Sequence, residues 1–270
     1  TMTKCLLVEL DYKALEAQLV GFFANDPDYI RAAKLGVHAI LMSHVLKQPI
    51  DLTLPDATIK PLIKEFKKNA SMYDGCKHVV HGSNYLGTPR KLRIEFPELF
   101  SSVGDAKEKQ DMYFSTIAKK VRRWQQSVLH EANQNHYLQN PYGYRHYFWD
   151  VLHYKGGQLE WGNDAKKSVA FLPQSTGAGV LSEALIRITK YPDLFRLLRW
   201  IIHDSILSEI PINKLFHHRV RQLKELMEDI NGELGGLKIE VDVKVGVNWG
   251  EMFDYREEFD YESSAIIVSW

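Results

Sequence analysis

Apolar residues run almost unbroken from Cys5 to Leu10 and end at Asp11-Tyr12, the pattern of a buried strand over residues 4–10. From Ala14 the interval changes. Leu15, Leu19, Phe22 and Phe23 recur at helical spacing, so the chain from Tyr12 onward predicts a helix. Asn25-Asp26-Pro27-Asp28 breaks it and caps a second, which carries Tyr29, Ile30 and Ala33 and leads to a helical run from His38 to Leu46. Prolines punctuate residues 49–61. Helical periodicity returns over 62–86 despite Gly75 and Gly82, until Gly87-Thr88-Pro89 stops it. Residues 107–135 read as one long helix, and Asn140-Pro141-Tyr142-Gly143-Tyr144-Arg145 as a turn into a short strand or hairpin around 147–151. Residues 163–188 read as another long helix, with Pro173 inside it. Apolar residues flank His203-Asp204-Ser205 on both sides, predicting a β-hairpin over 199–210 with that tripeptide at its tip. A helix over 216–230 and a strand over 237–247 follow. Strands at both ends with helices between them predict an α+β chain in which Asp11 and Asp204, each at an exposed strand end, meet on one sheet.

Composition narrows the picture only slightly. A chain of 270 residues can bury a sizeable core as one large domain or two. No apolar run approaches the roughly 18 residues of a membrane span, and the first residues lack the apolar core of a secretion signal. Two cysteines, Cys5 and Cys76, are too few for a disulfide framework or a zinc cage and fit reduced thiols in a cytoplasm. Net charge is zero, but its distribution is uneven. Residues 60–145 hold 15 Lys and Arg against 8 Asp and Glu, an excess of 7, whereas residues 251–262 hold six acids against Arg256 alone. A basic centre on a neutral body fits a phosphate-binding surface, although such a patch is often just a solvated face.

The candidate chemistry starts from the two aspartates. Transfer of a nucleotide phosphate needs charge stabilised on the attacking and leaving oxygens, and paired divalent ions held by hard oxygen ligands do this. Either aspartate alone reads as an ordinary turn residue. Between them, however, Lys77, His81 and Tyr85 stand at i, i+4 and i+8 on one helix face. There a lysine can neutralise phosphate oxygens and rings can pack on a sugar or base.

At these residues the chain resembles a known family. Asp11-Tyr12-Lys13-Ala14-Leu15-Glu16 is similar to the first polymerase motif of family-A DNA polymerases, Asp-Tyr-Ser-x-x-Glu. Leu19, Asn25-Asp26-Pro27 and Gly36-Val37-His38 resemble its continuation. Lys77 and Tyr85 match the ends of the second motif, Lys-x7-Tyr-Gly, and Gln174-Ser175-Thr176-Gly177-Ala178 looks like Gln-Gly-Thr-Ala-Ala. His203-Asp204-Ser205 is similar to the third motif, His-Asp-Glu, and Val245-Gly246-Val247-Asn248-Trp249 to a closing Val-Gly-x-Asn-Trp. Six matches fall in family order.

The resemblance implies a palm antiparallel sheet with a mostly helical fingers domain inserted: palm over 1–24, fingers over 25–160 and palm again over 161–270. It implies that Asp11 and Asp204, with the Tyr12 carbonyl, hold two Mg2+ ions (or Mn2+). It makes Glu16 a steric gate against a ribose 2′-hydroxyl, and places Lys77 and His38 on the incoming triphosphate. His81 falls beside sugar and base and Tyr85 at the template position. Arg145, Gln174 and His203 would lie along primer-template DNA. The expected partners are primer-template DNA and dNTPs, with no membrane, and a second polypeptide carrying the thumb, with or without an exonuclease, since neither is expected ahead of the first motif. The compact, divergent motifs resemble those of a phage or plasmid replicase, which implies a bacterial or phage-infected cytoplasm. The chain also departs from the family pattern. Tyr73 replaces an arginine, so Lys67 or Lys68 would have to assist the triphosphate; His81 replaces an apolar or phenolic ring; Ser205 replaces a carboxylate; Gln18 and Lys166 fall where arginines are common. The stretch 47–66 reads as an insertion. A single-subunit RNA polymerase and a non-catalytic nucleic-acid-binding subunit remain as alternatives, the first opposed by Glu16 and the second by the retained Asp11, Lys77 and Asp204.

Overall fold

The computed structural model describes residues 4–229 and 232–261. The expected Glu262 and Ile230 lie outside these. The chain opens on β1 (Cys5–Tyr12), whose side chains alternate strictly: Leu6, Val8, Leu10 and Tyr12 are buried, while Cys5, Leu7, Glu9 and Asp11 are half-buried on the opposite face. Asp11 therefore lies within the strand rather than at an exposed end. The sequence hid this because its apolar run ends at Leu10 while the strand's hydrogen bonds continue. No helix follows directly. Ala14 adopts φ 48°, and α1 (Leu15–Phe23) begins after that turn.

Two compact units make up the chain, residues 1–15 with 177–270 and residues 16–176. The second is mostly helical. It contains α2 (Pro27–Leu35), α3 (Val37–Val45), α4 (Asp56–Lys67), α5 (Ala70–Asn84), α6 (Pro89–Glu95), α7 (Val103–Met112) and α8 (Val121–Asn135). Asp26 caps α2 by accepting the Tyr29 N–H. The helix expected over 62–86 is two helices. The chain breaks at Lys68-Asn69, where the Asn69 side chain caps α5 by accepting the Met72 N–H. The segment over 49–61 is looser only at its start, since α4 already begins at Asp56 and contains Pro61. Helix 107–135 also divides: α7 ends in a π turn over Tyr113–Ile117, and Lys119 and Lys120 precede α8. Two small hairpins follow, β2 (Tyr137–Gln139) with β3 (Arg145–Tyr147), and β4 (Leu152–Lys155) with β5 (Gln158–Trp161); the second was not foreseen. Helix α9 (Ala165–Thr189) runs continuously through Pro173. Tyr29, Ile40, Leu41, Val79, Phe100 and Tyr113 sit at the centre of this unit's core.

The other unit is a five-stranded sheet. After α10 (Pro192–Phe195) come β6 (Leu198–Ile202), β7 (Ser205–Pro211), α11 (Phe216–Glu228), β8 (Val241–Gly246) and β9 (Phe253–Asp254). Strand order is β6-β7-β1-β8-β9, so β1 lies in the middle with antiparallel neighbours. Its inward residues join Ile206, Ile210 and Val245 beneath Phe216, Val220, Leu223 and Met227 of α11. Each such side chain contributes about 1.5–3 kcal/mol on burial. Strand β8 is shorter than the 237–247 expected, and the tip of the β6–β7 hairpin is His203-Asp204 alone, because Ser205 is already in β7. The α+β class with an antiparallel sheet and a helical insert holds.

Candidate active site

On the sheet, β1 brings Asp11 opposite Ser205 of β7 and Asp242 of β8. Residues directly opposite share a face, so the half-buried face of β1 collects Asp11, Glu9 and Asp242, with Lys244 opposite Glu9. Asp204 is the second residue of the hairpin turn. His203 beside it takes φ 52°, the left-handed conformation that lets so short a connection reverse the chain. The Tyr12 N–H donates to the Asp204 carbonyl at 3.3 Å, tying the end of β1 to the turn. On the opposite face the Tyr12 hydroxyl donates to the Met227 carbonyl at 2.7 Å, locking strand to helix. Ser205, at the position where the family pattern has a carboxylate, is buried and its hydroxyl donates to the Ile202 carbonyl at 3.0 Å, closing the turn.

The electrostatics of the pair are unfavourable as they stand. Burial, then the carboxylates of Asp204, Glu9 and Asp242, push Asp11 from 3.8 up to about 7, with Lys244 pulling the other way. Burial also raises Asp204, opposed by its own backbone N–H, by His203 and by a hydrogen bond to the Asp11 side chain. Two carboxyls near enough to share a proton are the arrangement that a cation would relieve. No group of three or more His, Cys, Asp or Glu suited to a metal occurs among the described residues. That is compatible with Mg2+, which commonly uses one or two carboxylates and completes its shell with water and substrate phosphate. The donor set present, two carboxylates and backbone oxygen, is of the hard type that Mg2+ or Mn2+ takes.

In the helical unit, α5 buries Cys76, Val79, Val80, Ser83 and Asn84 and leaves Lys77 and His81 exposed. Tyr85 is not on the helix but is its C-terminal cap residue. The end of α5 is heavily braced. The Tyr113 hydroxyl donates to the Asn84 side-chain oxygen at 2.6 Å, Asn84 donates to the Tyr29 hydroxyl at 3.0 Å, and the Gln125 amide donates to the Ser83 and Asn84 carbonyls at 2.7 and 2.9 Å. Gly87 passes so close that an added Cβ would lie 2.6 Å from the Gly82 carbonyl oxygen. None of Tyr29, Asn84, Tyr113 and Gln125 stood out in the sequence, because their partners are tens of residues away.

Two groupings result. Glu16 lies 3.6 Å from the His81 Nδ1, and His81 meets the Tyr85 ring edge-on at 5.1 Å. Burial first, and then the Glu16 carboxylate, raise the Tyr85 phenol far above its ordinary range. Near the start of α5, His38 sits 3.4 Å from the Tyr73 hydroxyl and edge-on to its ring. The Lys67 ammonium lies 5.9 Å over the same ring, whereas Lys68 pairs with Glu65 at 2.6 Å. Burial, with Lys77, Lys67 and His81 nearby, lowers His38 to about 4, so its imidazole is neutral at pH 7 and offers a hydrogen bond rather than a charge. Of the remaining candidates, Arg145 is exposed on β3 and donates to the Gln139 side chain at 2.8 Å, Gln174 is exposed on α9, and His203 is exposed at its turn. Gln18 is fully buried in α1, a position unsuited to reaching solvent phosphate, and Lys166 is exposed on α9.

The chain as a whole is similar to known proteins. Over 269 residues the chain is 24% identical to the DNA polymerase of Mycobacterium phage D29, matching 94% of this chain and 37% of that one. Its fold is similar to the POL domain of Pol1 from M. smegmatis, solved with DNA primer-template and dNTP, at a TM-score of 0.69 and 18% identity, over 92% of this chain and 41% of that one. The chain thus spans well under half the length of either relative. The model of DNA polymerase family A matches residues 1–251, and with nearly its whole length matched the chain belongs to DNA polymerase family A.

Proposed function

We propose that this chain is the catalytic palm-and-fingers part of a template-directed DNA polymerase, adding deoxynucleotides to a primer 3′ end. The observation that carries the reading is the Asp11–Asp204 pair, two half-buried carboxyls on adjoining strand and turn whose charges are costly without a cation. In this reading the sheet unit corresponds to the palm and the helical unit to the fingers, the compact units dividing at 15/16 and 176/177 where the resemblance implied 24/25 and 160/161. Asp11, Asp204 and the Tyr12 carbonyl would hold two Mg2+ ions, which supply charge neutralisation at the attacking and leaving oxygens.

The chain's own residues do the rest. Lys77, exposed on α5, is a compact positive charge for the triphosphate. Lys67 is the better substitute for the missing arginine, because Lys68 is occupied by Glu65. His38, held neutral, donates to a phosphate oxygen through a ring N–H. Glu16 crowds the 2′ position of the sugar, held by its contacts with His81 and Tyr85. Tyr85 stacks at the template position, while Arg145, Gln174 and His203 contact the primer-template. Processive grip on a duplex draws on many phosphate contacts, and a second polypeptide carrying the thumb would add to those made by Arg145 and the basic stretch of this chain.

The test is Mg2+-dependent extension of a primed template, with Asp204→Ala as control and with deoxy- and ribonucleotides compared. Extension with deoxynucleotides that the substitution abolishes is the expected result. Duplex binding without extension, even with the remaining polymerase polypeptide added, would mark a non-catalytic subunit and refute the reading; equal use of ribonucleotides would shift it to an RNA polymerase.

A further inference from the structure

The β2–β3 hairpin has two unlike faces. Pairing sets Tyr137 opposite Tyr147 and Gln139 opposite Arg145, with Leu138 and His146 between them. Alternation sends Leu138 into the core at 1% exposed, and Phe148 just beyond β3 is buried equally. The other face of such a hairpin is ordinarily polar. Here it holds a row of rings. His136 stacks on Trp149 at 5.5 Å with planes 24° apart, Trp149 on Tyr147 at 6.2 Å and 12°, and Tyr147 meets Tyr137 at 5.9 Å. The Arg145 guanidinium lies 4.4 Å over Tyr137 and ends the row. Trp149 is 73% exposed and Tyr147 53%.

Large rings left in water forgo the stabilisation that burial would give them, so a contiguous exposed row of them marks a binding surface. Its chemistry narrows the occupant. Every member is a ring with a polar edge or a guanidinium plane, and the row itself contains no aliphatic side chain for a protein partner to pack on. Arg145 is steadied by the Gln139 amide oxygen, a neutral acceptor, so its charge stays available to an anion. Offset rings ending in a cation suit successive bases with a phosphate between them.

We infer that the His136–Trp149–Tyr147–Tyr137 row with Arg145 binds a single-stranded stretch of DNA, bases against the rings and a phosphate at the guanidinium. This rests on the polymerase reading, in which the single strand is unpaired template, but binding is measurable without catalysis. The experiment is fluorescence anisotropy of the full chain with a labelled oligothymidylate, in the absence of metal and nucleotide, with melting curves as a folding check. Trp149→Ala and Tyr147→Ala should each weaken binding about five-fold or more and leave the slope against salt concentration unchanged, since no phosphate contact is lost. Trp149→Phe should restore most of the affinity. Arg145→Ala should flatten the salt slope. Unchanged affinity in the folded Trp149→Ala/Tyr147→Ala double variant overturns the inference. So does a shift of that variant from dimer to monomer in sedimentation with oligonucleotide binding intact, which would make the row an interface between copies. Strand binding is read without metal, nucleotide or extension, so loss of extension and loss of strand binding report separately on the chemistry and on the row.

Discussion

Asp11→Asn should stabilise the metal-free protein. Asp11 is held at about 7 instead of 3.8 by burial and by neighbouring carboxylates. Its folded-state value is raised, so the folded chain binds the extra proton between these two values. The favourable contribution of the protonated group is complete below pH 4 and is lost as pH rises through 7. Ionising it at pH 8 would cost about 4 kcal/mol at about 1.4 kcal/mol per unit, but the side chain is half-buried, and solvent screening reduces this to about 1–2 kcal/mol. Asparagine keeps the shape and never ionises. At pH 8 in EDTA the variant should melt about 2–6 °C higher than the parent, and at pH 4 most of the difference should be gone. Added Mg2+ should raise the parent's melting temperature and leave the variant's almost unchanged. Scanning calorimetry at both pH values, with and without Mg2+, checks all three. A variant that melts lower than the parent at pH 8 in EDTA would refute the reasoning, since Asp11 would then be making a favourable ionised contact.

Lys67→Ala should raise the KM for dNTP several-fold to about ten-fold while Lys68→Ala leaves it unchanged; equal effects would remove Lys67 from the triphosphate. Glu16→Ala should increase ribonucleotide incorporation in single-nucleotide extension, and undiminished sugar discrimination would withdraw its role as the gate. Tyr113→Phe removes the hydroxyl that bonds Asn84 and Tyr29 and should destabilise the chain by about 1–2 kcal/mol in urea unfolding. A neutral result would mean that the bracing of α5 lies elsewhere.

Much of this arrangement was legible in the sequence. The strand at β1, the hairpin around Asp204 and the helical character around Lys77 all follow from local periodicity and turn chemistry, which short windows record well, although the run at β1 reads as apolar throughout and not as alternating. Three features did not show. The break between α4 and α5 depends on one asparagine cap, and apolar residues continue the helical rhythm on both sides of it. The π turn at Tyr113–Ile117 inserts into a pattern that reads as one long helix. The ties of Tyr113 and Gln125 to Asn84 join positions tens of residues apart, so no local window contains them. The grouping of His38, Tyr73 and Lys67 is of the same kind: the sequence offered Lys67 and Lys68 as equals, and a ring stack and an ion pair separate them.

The position of β1 also bears on the order in which the molecule can form. It precedes every other strand of its sheet, yet both of its neighbours come from much later in the sequence. Asp11 pairs with Ser205 and with Asp242, nearly two hundred positions later or more. Contacts of such separation close late, after the entropy of a long loop has been spent. The helical unit contains its own core within residues 16–176 and has no such wait. During synthesis β1 therefore stays without partners while the helices settle, and the two carboxyls meet only once Asp204 has emerged. A chain interrupted before that point would present a folded helical unit beside a β1 still without either neighbour, its Asp11 carboxyl solvated and ordinary.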